Sequence, residues 1–294
     1  MLVSRAAGGR AAAALGVIVA VSACGGSSTG HHKVAAVKPD RTVALPAGTL
    51  SATAVQPNGY VWVLANNHRV ATLTQMELSN GAKAATVPVS VNATAVAQSP
   101  TGAIALGLGT ATSGAVQLLN PAALHPVAVL VGAPVKDLAY SVSGTDLYVL
   151  NGNATSTSVT VINTGAKRRV KSIGLAQGTV AIVPNPTDTA IWSLTDTGTV
   201  TETSLTGKHL AMTSFSLRSR GIALALNPIG STLYVLKGAA ASPNVSVVDT
   251  ATSSQVKALP AAAHSVALGV SMNGSELYDY VGTARYGNVQ VFSL

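Results

Sequence analysis

Beyond residue 40, one turn element recurs six times. It reads Gln56-Pro57-Asn58-Gly59, Ser99-Pro100-Thr101-Gly102, Ser141-Val142-Ser143-Gly144, Asn185-Pro186-Thr187-Asp188, Asn227-Pro228-Ile229-Gly230 and Ser271-Met272-Asn273-Gly274. The spacings are 43, 42, 44, 42 and 44 residues. A fixed period of this size means one supersecondary unit copied along the chain, each copy burying its apolar face against the next. A short run of small apolar residues precedes each turn. A second apolar run follows it, as in Tyr60-Val61-Trp62-Val63-Leu64, Leu147-Tyr148-Val149-Leu150 and Leu233-Tyr234-Val235-Leu236. A third alternates with period two, as in Ser158-Val159-Thr160-Val161-Ile162, and a fourth lies beyond the next turn, as in Val170-Lys171-Ser172-Ile173-Gly174.

Four strands per unit of this length are the signature of a propeller blade. The expected fold is therefore all-β, a six-bladed β-propeller over residues 41–294. The chain ends at Leu294, just after the third strand of the sixth unit, Asn288-Val289-Gln290-Val291-Phe292. The missing fourth strand has a counterpart near the N-terminus, where Ala44-Leu45-Pro46-Ala47 repeats Ala258-Leu259-Pro260-Ala261 from unit five. The N-terminal segment is thus expected to complete the last blade and close the ring, removing an open sheet edge.

Leu147-Tyr148-Val149-Leu150-Asn151, Leu233-Tyr234-Val235-Leu236 and Asn244-Val245-Ser246-Val247-Val248-Asp249-Thr250-Ala251-Thr252 resemble the YVTN-type β-propeller repeat. The resemblance covers roughly residues 41–294 and is best in blades three, five and six. It implies a fold and an extracytoplasmic setting, and it leaves the activity open, because such propellers carry many unrelated functions.

Residues 1–23 read as a secretory signal. Arg5 and Arg10 supply a positive n-region, and Ala11 to Val21 has the length of an apolar h-region. It ends in Val21-Ser22-Ala23-Cys24-Gly25, which resembles a bacterial lipobox and places the chain's single Cys where that signal is acylated. The resemblance implies a diacylglyceryl anchor on Cys24, a palmitate-type lipid modification, and attachment to the extracytoplasmic face of the cell membrane. Residues 24–40 then form the lipidated Cys and a flexible linker, beginning Gly25-Gly26-Ser27-Ser28-Thr29-Gly30. Gly26-x-Ser28-x-Gly30 matches a nucleophile elbow only formally, since neither strand nor helix is expected beside it.

Composition narrows the function classes. One Cys excludes a disulfide framework and an all-Cys zinc site. Removal of the signal takes Arg5 and Arg10 and leaves 16 basic against 10 acidic residues, a net +6. That balance gives weak attraction to an anionic bilayer. It does not point to nucleic acid: aromatics are 4% and the basic residues are scattered, except Lys167-Arg168-Arg169 with Lys171 beyond, read as a solvated turn. The six His residues show no zinc spacing, and no metal or cofactor is expected.

Aligning the units on their turns puts Ala52, Ala95, Asp137, Ala181, Ala223 and Ala267 at one position of the inner strand. Asp137 breaks the series. A carboxylate there is paired with a cation such as neighbouring Lys136 or Arg218, hydrated by the channel, or part of a ligand site. Three residues upstream, toward one mouth, the same alignment places Asn92, Arg220 and His264. Asn92, Lys136, Asp137, Arg220 and His264 are therefore the candidate ligand-binding residues, suited to a protein or to a polar or anionic ligand. No catalytic residue is assigned. A binding or scaffold module is the main expectation. The alternative is a propeller enzyme, such as a lactonase-like hydrolase or a lyase. Lactonases that resemble this architecture use several carboxylates and an Asn around an axial metal, where the inner strands here offer one Asp. A lyase would use a His as base, for which His264 is the candidate.

Overall fold

The computed structural model describes residues 37–294 except 54, 57, 68, 121–122 and 207–210. Cys24 and the signal and linker residues up to 36 lie outside the described residues, as do His31, His32, His68 and His209. The described residues form twenty-four strands in six antiparallel sheets of four. Each sheet runs outward from an inner strand beside the axis. The inner strands are Thr49–Ala52, Ala93–Gln98, Val135–Tyr140, Thr179–Pro184, Gly221–Leu226 and Ser265–Val270. The sixth sheet takes its outermost strand, Arg41–Leu45, from the N-terminal end of the fold. That strand pairs with Gly287–Ser293 in the register Arg41↔Val291 to Leu45↔Gly287, the closure anticipated from the repeated Ala-Leu-Pro-Ala.

Burial explains the sequence pattern of each strand. The second strand of a blade is covered on both faces, so it is apolar throughout, and Leu147, Tyr148, Val149 and Leu150 are all buried. The outermost strand faces solvent, as Arg168–Leu175 and Ser254–Pro260 do over most of their length. Arg168 and Arg169 are part of that outer strand, one step beyond the turn expected for them, and both are exposed. The core is divided into six clusters, each spanning one blade–blade junction. Val43 and Leu45 of the closing strand join Tyr278, Tyr280, Val289 and Val291 of blade six against Val61 and Val63 of blade one. Burying such side chains contributes roughly 1.5–3 kcal/mol each.

The turn tetrads also lock neighbouring blades. Their fourth residue has a positive φ, which glycine adopts freely, and a Cβ on Gly230 would lie 2.9 Å from Pro186 Cδ of the preceding blade. Blade four carries Asp188 at that position, with φ 56. Its carboxylate accepts the Val142 N–H at 2.9 Å and the Ser143 N–H at 3.3 Å from the turn of blade three. Two inter-blade hydrogen bonds thus offset an unfavourable backbone conformation.

Candidate functional site: the axial channel

Every inner strand contains a β-bulge near its start, between residues 49/51, 93/95, 135/137, 179/181, 221/223 and 265/267. The bulge frees one residue per blade from pairing and turns it toward the axis. Those residues are Leu50, Thr94, Lys136, Val180, Ile222 and Val266, and together they line the channel as a ring. From this ring a cavity of about 490 Å³ runs along the inner strands to the turn tetrads. Its far rim is Pro100, Val142, Pro186, Pro228 and Met272, the second residue of each described tetrad. Those apolar residues alternate at the turn-face end with the neutral polar Gln56, Gln98, Ser141, Asn227 and Ser271, and the wall between is largely of Ala, Val, Ile and Leu. The face carrying the tetrads is the turn face; the opposite one, where the inner strands begin, is the upper face.

The bulges correct one position of the sequence alignment. The partner of Asp137 in its hairpin is Leu150, and the matching pair in blade one is Ser51↔Leu64. The residue equivalent to Asp137 is therefore Ser51, not Ala52, because blade one has an extra residue between bulge and turn. Ser51 and Asp137 do the same job. Ser51 Oγ accepts the N–H of Val96 in blade two at 3.3 Å, and Asp137 Oδ2 accepts the N–H of Ile182 in blade four at 2.9 Å. Val96 and Ile182 occupy equivalent positions just past their bulges. Where the inner strand carries Ala181, Ala223 or Ala267, no side-chain acceptor reaches across.

Asp137 Oδ1 also accepts the Leu138 N–H at 2.9 Å. Burial pushes its carboxyl up to about 6, against the pull of these two hydrogen bonds. Among the described residues no cation pairs with it, the sole ion pair being Arg41–Glu276 at 3.0 Å. Of the alternatives open for Asp137 in the sequence, pairing with Lys136 or Arg218 is thereby overturned. The reason lies in the strand geometry: Lys136 Nζ donates to the Thr179 carbonyl at 3.4 Å, toward the upper face, while the Asp137 carboxylate meets Ile182, three residues further toward the turn face. Ammonium and carboxylate leave adjacent positions in opposite axial directions.

The five candidate residues divide into two groups. Lys136 and Asp137 line the cavity. Asn92, Arg220 and His264 do not; they are exposed on the upper face, in the loops entering blades two, five and six. They are nonetheless structurally equivalent. Their carbonyls accept the N–H groups of Gly109, Gly238 and Gly282 at 2.9, 2.8 and 3.2 Å, one repeated bond that fixes each loop to its own blade. His264 adopts φ 67, so its loop is held in a conformation few side chains favour.

Two features went unnoticed in the sequence. Asp279, fully buried on the second strand of blade six, stands where sister blades have Val63, Val149 and Val235. Its Oδ2 accepts the Ala262 N–H and the Ser265 hydroxyl, both at 2.9 Å, which ties down the loop bearing His264. Its Oδ1 has no partner, and burial raises its pKa. The signal was present, because Leu277-Tyr278-Asp279-Tyr280 is the one second strand with a charge at that slot. The apolar rim was equally visible as the second residue of the quoted tetrads. Among the described residues no group of three His, Cys, Asp or Glu could hold a metal.

With this geometry in hand, the chain can be set beside known proteins. It matches no protein family and no curated protein. It is similar to the solved structure of Kuenenia stuttgartiensis hydrazine synthase, with a TM-score of 0.66, 13% identity and 83% of each chain covered. It is also similar to the β-propeller domain of Myceliophteria thermophila Cps50 (Swd1), with a TM-score of 0.60, 10% identity, and 84% of this chain and 83% of that one covered. The likeness shows the fold. A six-bladed β-propeller is what both the sheet topology and these neighbours support. At such identities nothing about activity carries over.

Proposed function

We propose that this chain is a membrane-anchored binding propeller of the YVTN repeat type. In this reading it is held on the extracytoplasmic face by a diacylglyceryl group at Cys24, and it recognises its ligand at the axial channel. The observation that carries the binding role is the closed ring around a cavity of about 490 Å³, whose largely uncharged wall holds the two charged side chains Lys136 and Asp137. Concave, mostly apolar sites with a few convergent polar groups are where proteins of this architecture take ligands. Asn92, Arg220 and His264 offer a second contact surface on the upper face, where the Arg220 guanidinium suits an anionic group of a partner. The lipobox at Val21-Ser22-Ala23-Cys24 supports the anchor. An enzymatic role is the second reading. It draws on Asp137, which lines the cavity and whose raised pKa is what a general base working near neutral pH requires.

Two measurements test this function. Intact-mass spectrometry of the mature protein should find a diacylglyceryl adduct that Cys24→Ala abolishes, and an unmodified mature chain overturns the anchor. Affinity capture from envelope extract with the wild type should retain a ligand or partner that Asp137→Ser or Arg220→Ala loses. Equal capture by all three proteins refutes recognition at the channel and its upper mouth.

A further inference from the structure

Building on the binding role proposed above, we infer that the channel takes an apolar organic ammonium ion, which enters from the turn face and places its charge on Asp137. Three observations lead there. First, the inter-blade bond made by Asp137 does not need a charge. Ser51 makes the equivalent bond to Val96 with a hydroxyl, so the carboxylate exceeds what joining the blades requires. Second, each carboxylate oxygen accepts one N–H and keeps a further lone pair, and no cation of the described chain neutralises it. An unpaired carboxylate taken out of bulk water is costly, and a ligand cation supplies what the chain does not. Third, the wall offers apolar contacts to a hydrocarbon body. Pro100, Val142, Pro186, Pro228 and Met272 stand at the turn-face end beside the neutral polar Gln56, Ser141, Asn227 and Ser271, and Ala139, Ala225 and Leu268 line the wall beyond them. A hydrocarbon body fits this wall while an ammonium reaches the floor.

The other titratable groups lining the cavity are Lys136 and Tyr140. Burial holds the Tyr140 hydroxyl up to about 12, so it stays neutral. Lys136 opposes a cation, but its ammonium is drawn toward the Thr179 carbonyl on the upper side. The two residues therefore make opposite demands. Removing Asp137 should weaken an ammonium ligand and removing Lys136 should strengthen it; an anionic ligand reverses both signs.

The test uses octylammonium and its neutral counterpart 1-octanol as probes, with affinity read by titration calorimetry on the whole mature protein. The wild type should bind one octylammonium per chain at least about ten-fold more tightly than octanol at pH 7.5. That preference should shrink as pH falls below about 6, where Asp137 takes up its proton. Asp137→Ser should bind both probes alike, and Lys136→Met should widen the preference. Equal affinity for the two probes in the wild type, no saturable octylammonium binding, or a preference surviving in Asp137→Ser would each overturn the inference. Should Asp137→Ser fail to fold, the wild-type pH series and Lys136→Met decide it unaided. If octylammonium fails while envelope capture still depends on Asp137, the ligand is of another class and the binding role stands.

Discussion

The two ends of the channel are built from the same six hairpins and differ in chemistry. Among the described residues the upper face presents Arg69, Arg218, Arg220, Lys237 and Arg285 against the single exposed acid Asp196, and none of these cations is in an ion pair there. The turn face carries most of the acids, and these have structural work. Asp188 holds N–H groups of the neighbouring turn, Asp249 accepts the Thr252 N–H and Glu77 accepts the Ser79 hydroxyl. Those hydrogen bonds hold the carboxyls of Glu77 and Asp249 below their ordinary range. Asx-type capping is what tight turns ask of Asp and Asn, so the acids of the turn face are committed to backbone geometry. The cations of the upper face are free of such duty. The upper face thus offers a partner cations with little acid beside them, whereas the turn face mixes committed acids with the exposed Lys83, Lys167 and Arg168 and surrounds the channel with neutral side chains.

The largest expected effect erases the contrast by opening the ring. Deleting residues 41–45 removes the closing strand with Val43 and Leu45 and exposes the edge of Gly287–Ser293. It should lower stability by several kcal/mol, out of a whole margin of about 5–15 kcal/mol, whereas deleting residues 25–36 should leave the melting temperature unchanged. Equal melting temperatures for the two deletions would show that the ring does not depend on this strand.

Next comes damage confined to the turn face. Gly230→Ala forces a Cβ onto a positive φ and against Pro186. It should cost about 1–3 kcal/mol in urea unfolding, and a loss of under about 0.5 kcal/mol would mean that the turn yields.

A third prediction concerns the channel. Asp137 has a folded pKa of about 6, above the value of 3.8 for a free Asp. The folded chain therefore binds more protons than the unfolded one between these values. The stability gained from Asp137 is present at pH 4 and is lost as pH rises through 6. The difference in unfolding free energy between wild type and Asp137→Ser should shift by up to about 3 kcal/mol from pH 4 to pH 7.5, less where channel water screens the group. A difference constant with pH would place the carboxyl at an ordinary pKa.

The smallest effect is at the upper face. Arg220→Ala should change stability by less than about 0.5 kcal/mol, as exposed substitutions do, and leave octylammonium binding untouched. A large loss of stability there would mean that Arg220 is structural and that the upper face is less free than its lack of ion pairs implies.

Much of the architecture was legible in the sequence because repetition exposes it. Six tetrads fixed the blade count, and Ala44-Leu45-Pro46-Ala47 disclosed the closing strand. Asp137 stood out because its sisters are small. The errors arise where repetition is imperfect. The extra residue in blade one shifted the alignment and concealed Ser51, the one residue that shows what Asp137 does structurally. The bulges left no mark in the apolar pattern, since Leu50, Val180, Ile222 and Val266 suit a paired strand as well as an unpaired one. The cavity wall runs from that bulge ring to the turn tetrads and includes none of Asn92, Arg220 and His264.

The closing strand also sets a timetable. Arg41 pairs with Val291, across 250 residues of chain. At roughly 5–20 residues per second of synthesis, the first strand waits on the order of 12–50 s for its partner to exist. Five blades can assemble from neighbouring hairpins as they emerge, but the sixth must join the two ends of the fold, the slowest kind of pairing to find. Until then the nascent protein is an open arc with an unsatisfied edge at each end. Any pause, truncation or early release leaves a molecule with intact blades and no ring, ready to pair its edges with those of another copy.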